Sequence, residues 1–175
     1  MEKRDVLVIG GSAGGILAAT TAKKVYNDKS VTIVRKTPTA MVPCGIPYIY
    51  GTLDGSSKNR IPDEMITSAG VKLVIDEVIR IDLPEKRAIL CGGEEIIYEK
   101  LIIATGSKPI IPKFIPGHGL HNVFAVTKEE EKLAFMRKRM ETMSKVVVIG
   151  GGFIGVEFAE QLQEAGKEVT IIAPV

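Results

Sequence analysis

The 175-residue sequence has no tryptophan and only four tyrosines and five phenylalanines, so it lacks the aromatic faces on which proteins stack nucleic-acid bases. A concentrated charge is missing too: 23 basic residues against 21 acidic ones leave a net charge of +2. No basic face for a phosphate backbone is expected, and nucleic acid is excluded as a partner. No apolar run approaches the roughly 20 residues that a spanning helix needs. The first apolar segment follows Met1 to Asp5 directly, with no leader or cleavage site, so no membrane association and a cytoplasmic location are expected. Cysteine is scarce as well. Cys44 and Cys91 match no metal-ligand spacing, which argues against a structural disulfide or a zinc site. With 45% hydrophobic and 25% charged residues, the composition is that of a globular protein able to bury one good core, though the chain is small for two domains.

What the sequence has in quantity is glycine, 18 residues, and it is concentrated in two places. Residues 6–15 read Val-Leu-Val-Ile-Gly-Gly-Ser-Ala-Gly-Gly, and residues 146–155 read Val-Val-Val-Ile-Gly-Gly-Gly-Phe-Ile-Gly. Each is a buried strand, a glycine turn and the start of a helix, the arrangement that places a pyrophosphate on free backbone N–H groups at the positive end of a helix. Two copies suggest two dinucleotides and electron transfer between them. In the first copy Gly10 permits the tight turn and Gly15 the close approach of helix and strand, while the middle position is Ser12 instead of glycine. The candidate binding set there is Gly10, Gly11, Ser12, Ala13 and Gly14. The second copy keeps all three glycines, Gly150, Gly152 and Gly155, with Ile154 inside the turn and Glu157, Phe158 and Leu162 following at helical spacing.

A dinucleotide site of this kind ends its second strand with an acid that accepts the ribose hydroxyl, but the corresponding residues here are Arg35 and Ala173. The loss of a charged hydrogen bond costs about 1.5–3 kcal/mol, so binding should be weakened and not abolished. Arg35 and Lys36 are candidates to meet a phosphate instead, and at Ala173 the missing acid removes a preference for NADH over NADPH.

Periodicity supplies the rest of the outline. Helices are predicted over 14–26, from Pro62 to a stop at Gly70, over 127–143 with Thr127 as N-cap and Glu129 and Glu130 in its first turn, and over 154–165. Strands are predicted at 6–10, 31–34, 71–75, 101–104, 146–149 and 169–172. Residues 78–98 read as a β-meander in which Ile79, Ile81 and Leu83 alternate with polar residues. Residues 108–122, rich in proline, read as a connector.

In the segment Met41-Val-Pro-Cys-Gly-Ile-Pro-Tyr48, Pro47 is tolerated only in the first turn of a helix, so a helix here must begin at or after Cys44. A thiol at that end would feel the positive helix dipole, which favours the thiolate. A lone cysteine also fits as buried apolar filler. Both readings stand for Cys44, and Cys91, inside an apparent hairpin, takes the second.

Three features in order resemble one family: the first glycine turn, the Cys-Gly-Ile-Pro-Tyr segment at 44–48, and Leu101-Ile-Ile-Ala-Thr-Gly-Ser-Lys-Pro109 followed by the second glycine turn. Together they resemble the FAD-dependent pyridine nucleotide-disulfide oxidoreductases, in particular the single-cysteine branch of NADH oxidases, NADH peroxidases and coenzyme A-disulfide reductases. The resemblance implies an α/β fold: a Rossmann-like FAD-binding three-layer sandwich with a β-meander, followed by the start of a second Rossmann-like unit for NAD(P). It implies a first segment of an FAD-binding domain at 1–110, a connector and helix at 111–144, and a partial NAD(P)-binding domain at 145–175. FAD would lie on the first turn and on Ala104, Thr105 and Gly106, with NAD(P)H on the second turn near Glu157, which could equally be a solvated helix residue. Cys44 would be the redox centre. The branch lacks a second cysteine five positions on, and position 49 is Ile49, so the partner of Cys44 would be a sulfenic acid or a mixed disulfide with a small thiol such as coenzyme A. Lys23 and Lys24 fall where that branch carries basic residues toward the coenzyme, although a basic helix end needs no ligand to explain it.

The implied activity is hydride transfer from NAD(P)H to FAD and on to Cys44 or to oxygen, with peroxide, coenzyme A disulfide or persulfide as other acceptors. Members of the family are much longer. A two-stranded second unit leaves an apolar strand edge unpaired, from which homo-oligomer formation is expected. Two other readings remain: a nucleotide-binding fragment without turnover, and a plain NAD(P)-dependent dehydrogenase in which Arg35 reads a 2′-phosphate.

Overall fold

The structure, a computed structural model, describes residues 2–173. Strand β1 (Glu2–Ile9), helix α1 (Ala13–Val25) and strand β2 (Val31–Arg35) lead to two short strands, β3 (Ala40–Met41) and β4 (Arg60–Ile61), with 3-10 turns between them at Pro43–Gly45, Pro47–Tyr50 and Ser56–Asn59. Helix α2 (Glu64–Thr67) follows, then strands β5 (Lys72–Ile75), β6 (Val78–Asp82), β7 (Arg87–Leu90) and β8 (Glu95–Ile103). Helix α3 (Glu130–Met140), strand β9 (Lys145–Ile149), helix α4 (Phe153–Glu164) and strand β10 (Glu168–Ile172) complete the order. The chain divides into two units, one made of the residues up to Ala40 with Ile61–Ser107, the other of Met41–Arg60 with the residues from Lys108 onward. Met1 and the last two positions of the expected NAD(P) segment, 174 and 175, lie outside the described residues.

In the first unit a six-stranded sheet runs in the order β5-β2-β1-β8-β7-β6. Strands β5, β2, β1 and β8 are parallel, while β7 and β6 return antiparallel as the predicted meander. The continuous apolar runs of β1 and β2 are what a sheet covered on both faces requires. On one face Val8, Val31 and Ile33 pack with Ile16 and Ala19 of α1 and Ile66 of α2. On the other, Leu7, Ile9 and Val34 pack with Ala88, Leu90, Ile96 and Tyr98. Helix, parallel sheet and meander therefore form the three layers expected of this α/β fold.

The meander departs from its simple alternation. Of the three residues expected inward, Ile81 packs on the core, but Ile79 and Leu83 are 61% and 68% exposed, and Val78 packs there as well. The pairing of β6 with β7 shifts register between Val78 and Arg80. An extra residue at such a bulge moves the following side chains to the other face, which period-two counting does not anticipate.

In the second unit β9 and β10 form a parallel pair. Its core gathers Ile46, Ile49 and Tyr50 from the 3-10 region, Leu133, Met136 and Met140 from α3, and Phe158 and Leu162 from α4. Residues 108–122 hold turns and bends only. Helix α3 starts later than predicted: Glu129 is its N-cap, with Glu130 and Glu131 in the first turn. The Thr127 hydroxyl instead accepts the Glu129 N–H at 3.3 Å, closing a turn ahead of the helix. Among the described residues no helix is long and apolar enough to cross a membrane, and no cluster of potential metal ligands occurs.

Leu90 of the meander strand β7 is 1% exposed and packs against the parallel strands, so Leu90→Ala should lower stability by about 2–5 kcal/mol in urea denaturation followed by circular dichroism. Ile79→Ala should change it by less than about 0.5 kcal/mol; equal losses would contradict the bulge.

Candidate functional site

The first glycine turn is built by three close approaches within the first unit. Gly10 has φ +109° and donates its N–H to the Val34 carbonyl at 2.9 Å. A Cβ at Gly10 would overlap the Ala104 carbonyl oxygen, and one at Gly15 would overlap the Gly10 carbonyl oxygen. The Ala104 N–H in turn donates to the Ile9 carbonyl at 2.8 Å. The turn at 10–15 and the segment 104–106, separated by most of the first unit in sequence, thus meet at one point. By contrast a Cβ at Gly14 would find nothing within 4 Å. Open space therefore stands where α1 begins, around exposed Ala13 and Gly14. Ser12, the N-cap, makes no side-chain capping bond, and the first turn-closing bond runs from the Ile16 N–H to the Ser12 carbonyl at 2.9 Å. The N–H groups ahead of that bond have no partner within the helix and carry its positive end, a fit for a pyrophosphate.

The strand end beside this turn holds Arg35, 3% exposed. A Cβ at Gly11 would stand 2.9 Å from Arg35 Cβ and 3.0 Å from its Cδ, so the arginine stem lies against the turn. Its guanidinium is engaged on three sides. Nε donates to the Thr37 carbonyl at 2.8 Å, Nη2 to the Pro38 carbonyl at 2.7 Å, and Nη1 and Nη2 to the two Asp63 carboxylate oxygens at 2.7 and 2.9 Å. Lys36 is exposed and pairs with Glu77 at 2.8 Å. Nothing in the sequence ties position 35 to position 63; Pro62-Asp63 reads there only as a helix opening. On the far end of α1, Lys23 donates to the Asn27 and Lys29 carbonyls at 2.7 and 2.8 Å, closing the helix C-terminus. Lys24 lines a shallow depression with Thr20, Thr21 and Ala69.

The second turn repeats two of these features, the bond from its first glycine to the neighbouring strand and the approach of the helix to that glycine, whereas a Cβ at Gly150 would find nothing within 4 Å. Gly150 has φ +118° and donates to the Ile172 carbonyl at 2.8 Å, and a Cβ at Gly155 would overlap the Gly150 carbonyl oxygen. A Cβ at Gly152, the N-cap of α4, finds nothing within 4 Å. A Cβ at Gly151 would stand 2.8 Å from Ala173 Cβ. Ala173 therefore occupies in the second copy the place that Arg35 occupies in the first. Ile154 is exposed and Glu157 half-buried on α4.

The cysteine segment is not the single helix predicted from Pro47. It forms two successive 3-10 turns, Pro43–Gly45 and Pro47–Tyr50. Pro47 has no N–H to give the Pro43 carbonyl, so that carbonyl accepts from Ile46 at 3.4 Å, and Ile49 donates to Ile46 at 3.2 Å. Among the described residues Cys44 lies inside the first of these 3-10 turns and not at the start of an α-helix. Cys44 and Cys91 are both exposed, which removes the filler reading for each.

Asn59, 4% exposed and unremarked in the sequence, fixes the turn that carries the thiol. Its carbonyl accepts the Val42 N–H at 2.9 Å, its Nδ2 donates to the Val42 carbonyl at 3.0 Å, and its Oδ1 lies where a Cβ at Gly45 would fall. The same segment is tied to α3 and α4. Tyr50 and Phe158 have ring centroids 4.7 Å apart, and the Tyr50 hydroxyl donates to the Leu133 carbonyl at 3.1 Å. Burial pushes the Tyr50 phenol pKa up. Gln161 Oε1 accepts from the Thr52 N–H at 2.9 Å and from its hydroxyl at 2.7 Å. Gln161 sits one helical step from Phe158 on the face that the spacing of Phe158 and Leu162 marks as inward, so helical periodicity could have found it.

Comparison with known proteins agrees with this geometry. The sequence profile described as pyridine nucleotide-disulphide oxidoreductase matches residues 4–175. A "NAD(P)H coenzyme A polysulfide/persulfide reductase" of Pyrococcus horikoshii is 36% identical over 97% of the chain. Among solved structures, an NAD-dependent persulfide reductase from A. fulgidus has a TM-score of 0.83 at 30% identity over 95% of the chain. A water-forming NADH oxidase from Lactobacillus brevis bound to NADH has 0.83 at 26% over 97%. The chain spans 39%, 33% and 39% of the lengths of these three proteins respectively.

The two kinds of glycine in the turns separate by experiment. Gly15→Ala and Gly155→Ala each force a side chain onto a backbone oxygen and should each lower stability by several kcal/mol, on the order of the largest single-site effects. Gly14→Ala should leave the circular dichroism melt unchanged within about 2 °C while crowding any ligand at the turn. A stable Gly15→Ala protein would contradict the close approach.

Proposed function

The chain belongs to the pyridine nucleotide-disulphide oxidoreductase family, and from that premise we propose that it is the nucleotide-binding part of a flavoprotein oxidoreductase. It takes FAD on the turn at 10–15 and the segment 104–106, and NAD(P)H on the turn at 150–155. The observation that carries this reading is the meeting of Gly10, Gly15 and Ala104 at one point beside open space at Gly14, with the approach of Gly155 to the Gly150 carbonyl beside open space at Gly152 in the second turn.

FAD, when bound, supplies two-electron acceptance from a reduced nicotinamide. The protein's own part is to bind and orient. The N–H groups at the starts of α1 and α4 would hold the two pyrophosphates, and the close contacts at Gly10 and Gly15 in the first turn and at Gly155 in the second keep each turn rigid. Cys44, exposed on a turn clamped by Asn59, provides a thiol that can form and release a mixed disulfide with a small thiol or cycle through a sulfenic acid. The similarity to persulfide reductases and to a water-forming NADH oxidase supports coenzyme A persulfide and oxygen as acceptors, and the same thiol chemistry extends to coenzyme A disulfide and peroxide. Domain limits of 1–110, 111–144 and 145–175, a cytoplasmic location and self-association belong to the same proposal.

The test is flavin reconstitution followed by NADH titration with and without oxygen. The protein should take up FAD, and NADH should bleach the flavin band. Cys44→Ser should retain both responses and lose reduction of coenzyme A disulfide. Flavin uptake with no bleaching would reduce the function to nucleotide binding, and NADPH binding with no flavin uptake would assign a plain dehydrogenase. Size-exclusion chromatography should show a species larger than the monomer.

A further inference from the structure

We infer that Asp63 is the acceptor for the adenosine ribose hydroxyls at the first glycine turn, held there by Arg35 in place of the acid that the strand end lacks. The inference rests on the proposed nucleotide binding. In turns of this kind the end of the second strand supplies a carboxylate to the ribose 2′-OH. Here that position is Arg35, identified by its contact with Gly11 and by its match to Ala173 beside Gly151. Arg35 is poorly disposed to take a ligand itself, because its guanidinium already donates to Thr37, Pro38 and both oxygens of Asp63.

What the arginine does instead is carry a carboxylate to the turn. Its Cδ would stand 3.0 Å from a Cβ at Gly11. From that Cδ, three covalent bonds and one hydrogen bond reach Asp63. The Asp63 side chain is 42% exposed whereas that of Arg35 is 4% exposed, so the acid and not the base faces solvent. It makes no side-chain capping bond to α2. Each carboxylate oxygen accepts one hydrogen bond from Arg35 and keeps a further lone pair for an outside donor. The fork geometry fixes the plane of the carboxylate. The strand-end acid is thus displaced by one side chain and not lost.

The test uses bound FAD as the reporter of the first turn and measures its displacement by ADP and by 2′-deoxy-ADP through flavin fluorescence. For the wild type, ADP should compete at least about tenfold more strongly than 2′-deoxy-ADP, as expected for loss of one hydrogen bond to a charged acceptor. In Asp63→Asn, and in the double variant Arg35→Gln/Asp63→Asn that leaves no buried unpaired charge, the ratio should fall toward one. Asp63→Glu should restore part of it. A ratio near one in the wild type, or one unchanged by Asp63→Asn, would overturn the inference while leaving FAD binding intact. Tighter FAD binding by Asp63→Asn would overturn it in favour of Arg35 as the ligand. A wild type that binds no FAD at all would overturn both this inference and the proposed function beneath it.

Discussion

The close approach of each helix start to the carbonyl of the first glycine in its turn is the contact on which the remaining features rest. Gly15 lies on Gly10, and Gly155 on Gly150, with no room for a Cβ in either case. That contact draws the helix N-terminus over the end of its strand, and only then do the free N–H groups of the first helical turn face one point instead of spreading into solvent. The open space at Gly14 and Gly152 is the complement of this crowding. A single turn uses glycine for two opposite purposes, to remove a clash where backbone meets backbone and to leave a void where a ligand would enter.

Around this shared device the two units have diverged at the strand end. In one, a buried arginine staples the loop 35–38 and Asp63, the residue ahead of α2, into one charged cluster; in the other, Ala173 leaves the place almost bare. Burying a guanidinium is costly unless its donors are met, and here two backbone carbonyls and a bidentate carboxylate meet them. The first turn therefore has a fixed charge arrangement beside it, and the second has little to impose on the ribose of whatever occupies it.

The parallel strands, the meander and both glycine turns were legible in the sequence because their signals are local: apolar runs, period-two alternation and glycine spacing; the two-residue strands β3 and β4 carry no such signal. What escaped depended on residues acting in combination, some of them far apart in the chain. The 3-10 turns around Cys44 follow from Pro43 and Pro47 acting together, each removing a donor that a longer helix needs. Asn59 and Asp63 matter through contacts with Val42 and Arg35 that no spacing rule encodes. The register shift between Val78 and Arg80 inverts the facing of Ile79 without leaving any glycine or proline to mark it. The first turn also misses its acid only when strand ends are compared; the fold places another carboxylate nearby.

The comparison of the two units isolates what the meander contributes. The hydrogen bonds from Gly10 to Val34 and from Gly150 to Ile172 make Leu7, Ile9 and Val34 the counterparts of Val147, Ile149 and Ile172. The first three are 0%, 8% and 2% exposed, the second three 57%, 59% and 54%. Strand sequence is equally apolar in both, so the difference lies in the cover: Ala88, Leu90 and Ile96 of the meander strands lie over the first set, whereas the helix α4 side alone is packed in the second. Parallel strands that bear apolar residues on both faces are stable when both are covered. At about 25 cal/mol per Å² of apolar surface, leaving three such side chains in water forgoes several kcal/mol that the meander recovers in the first unit.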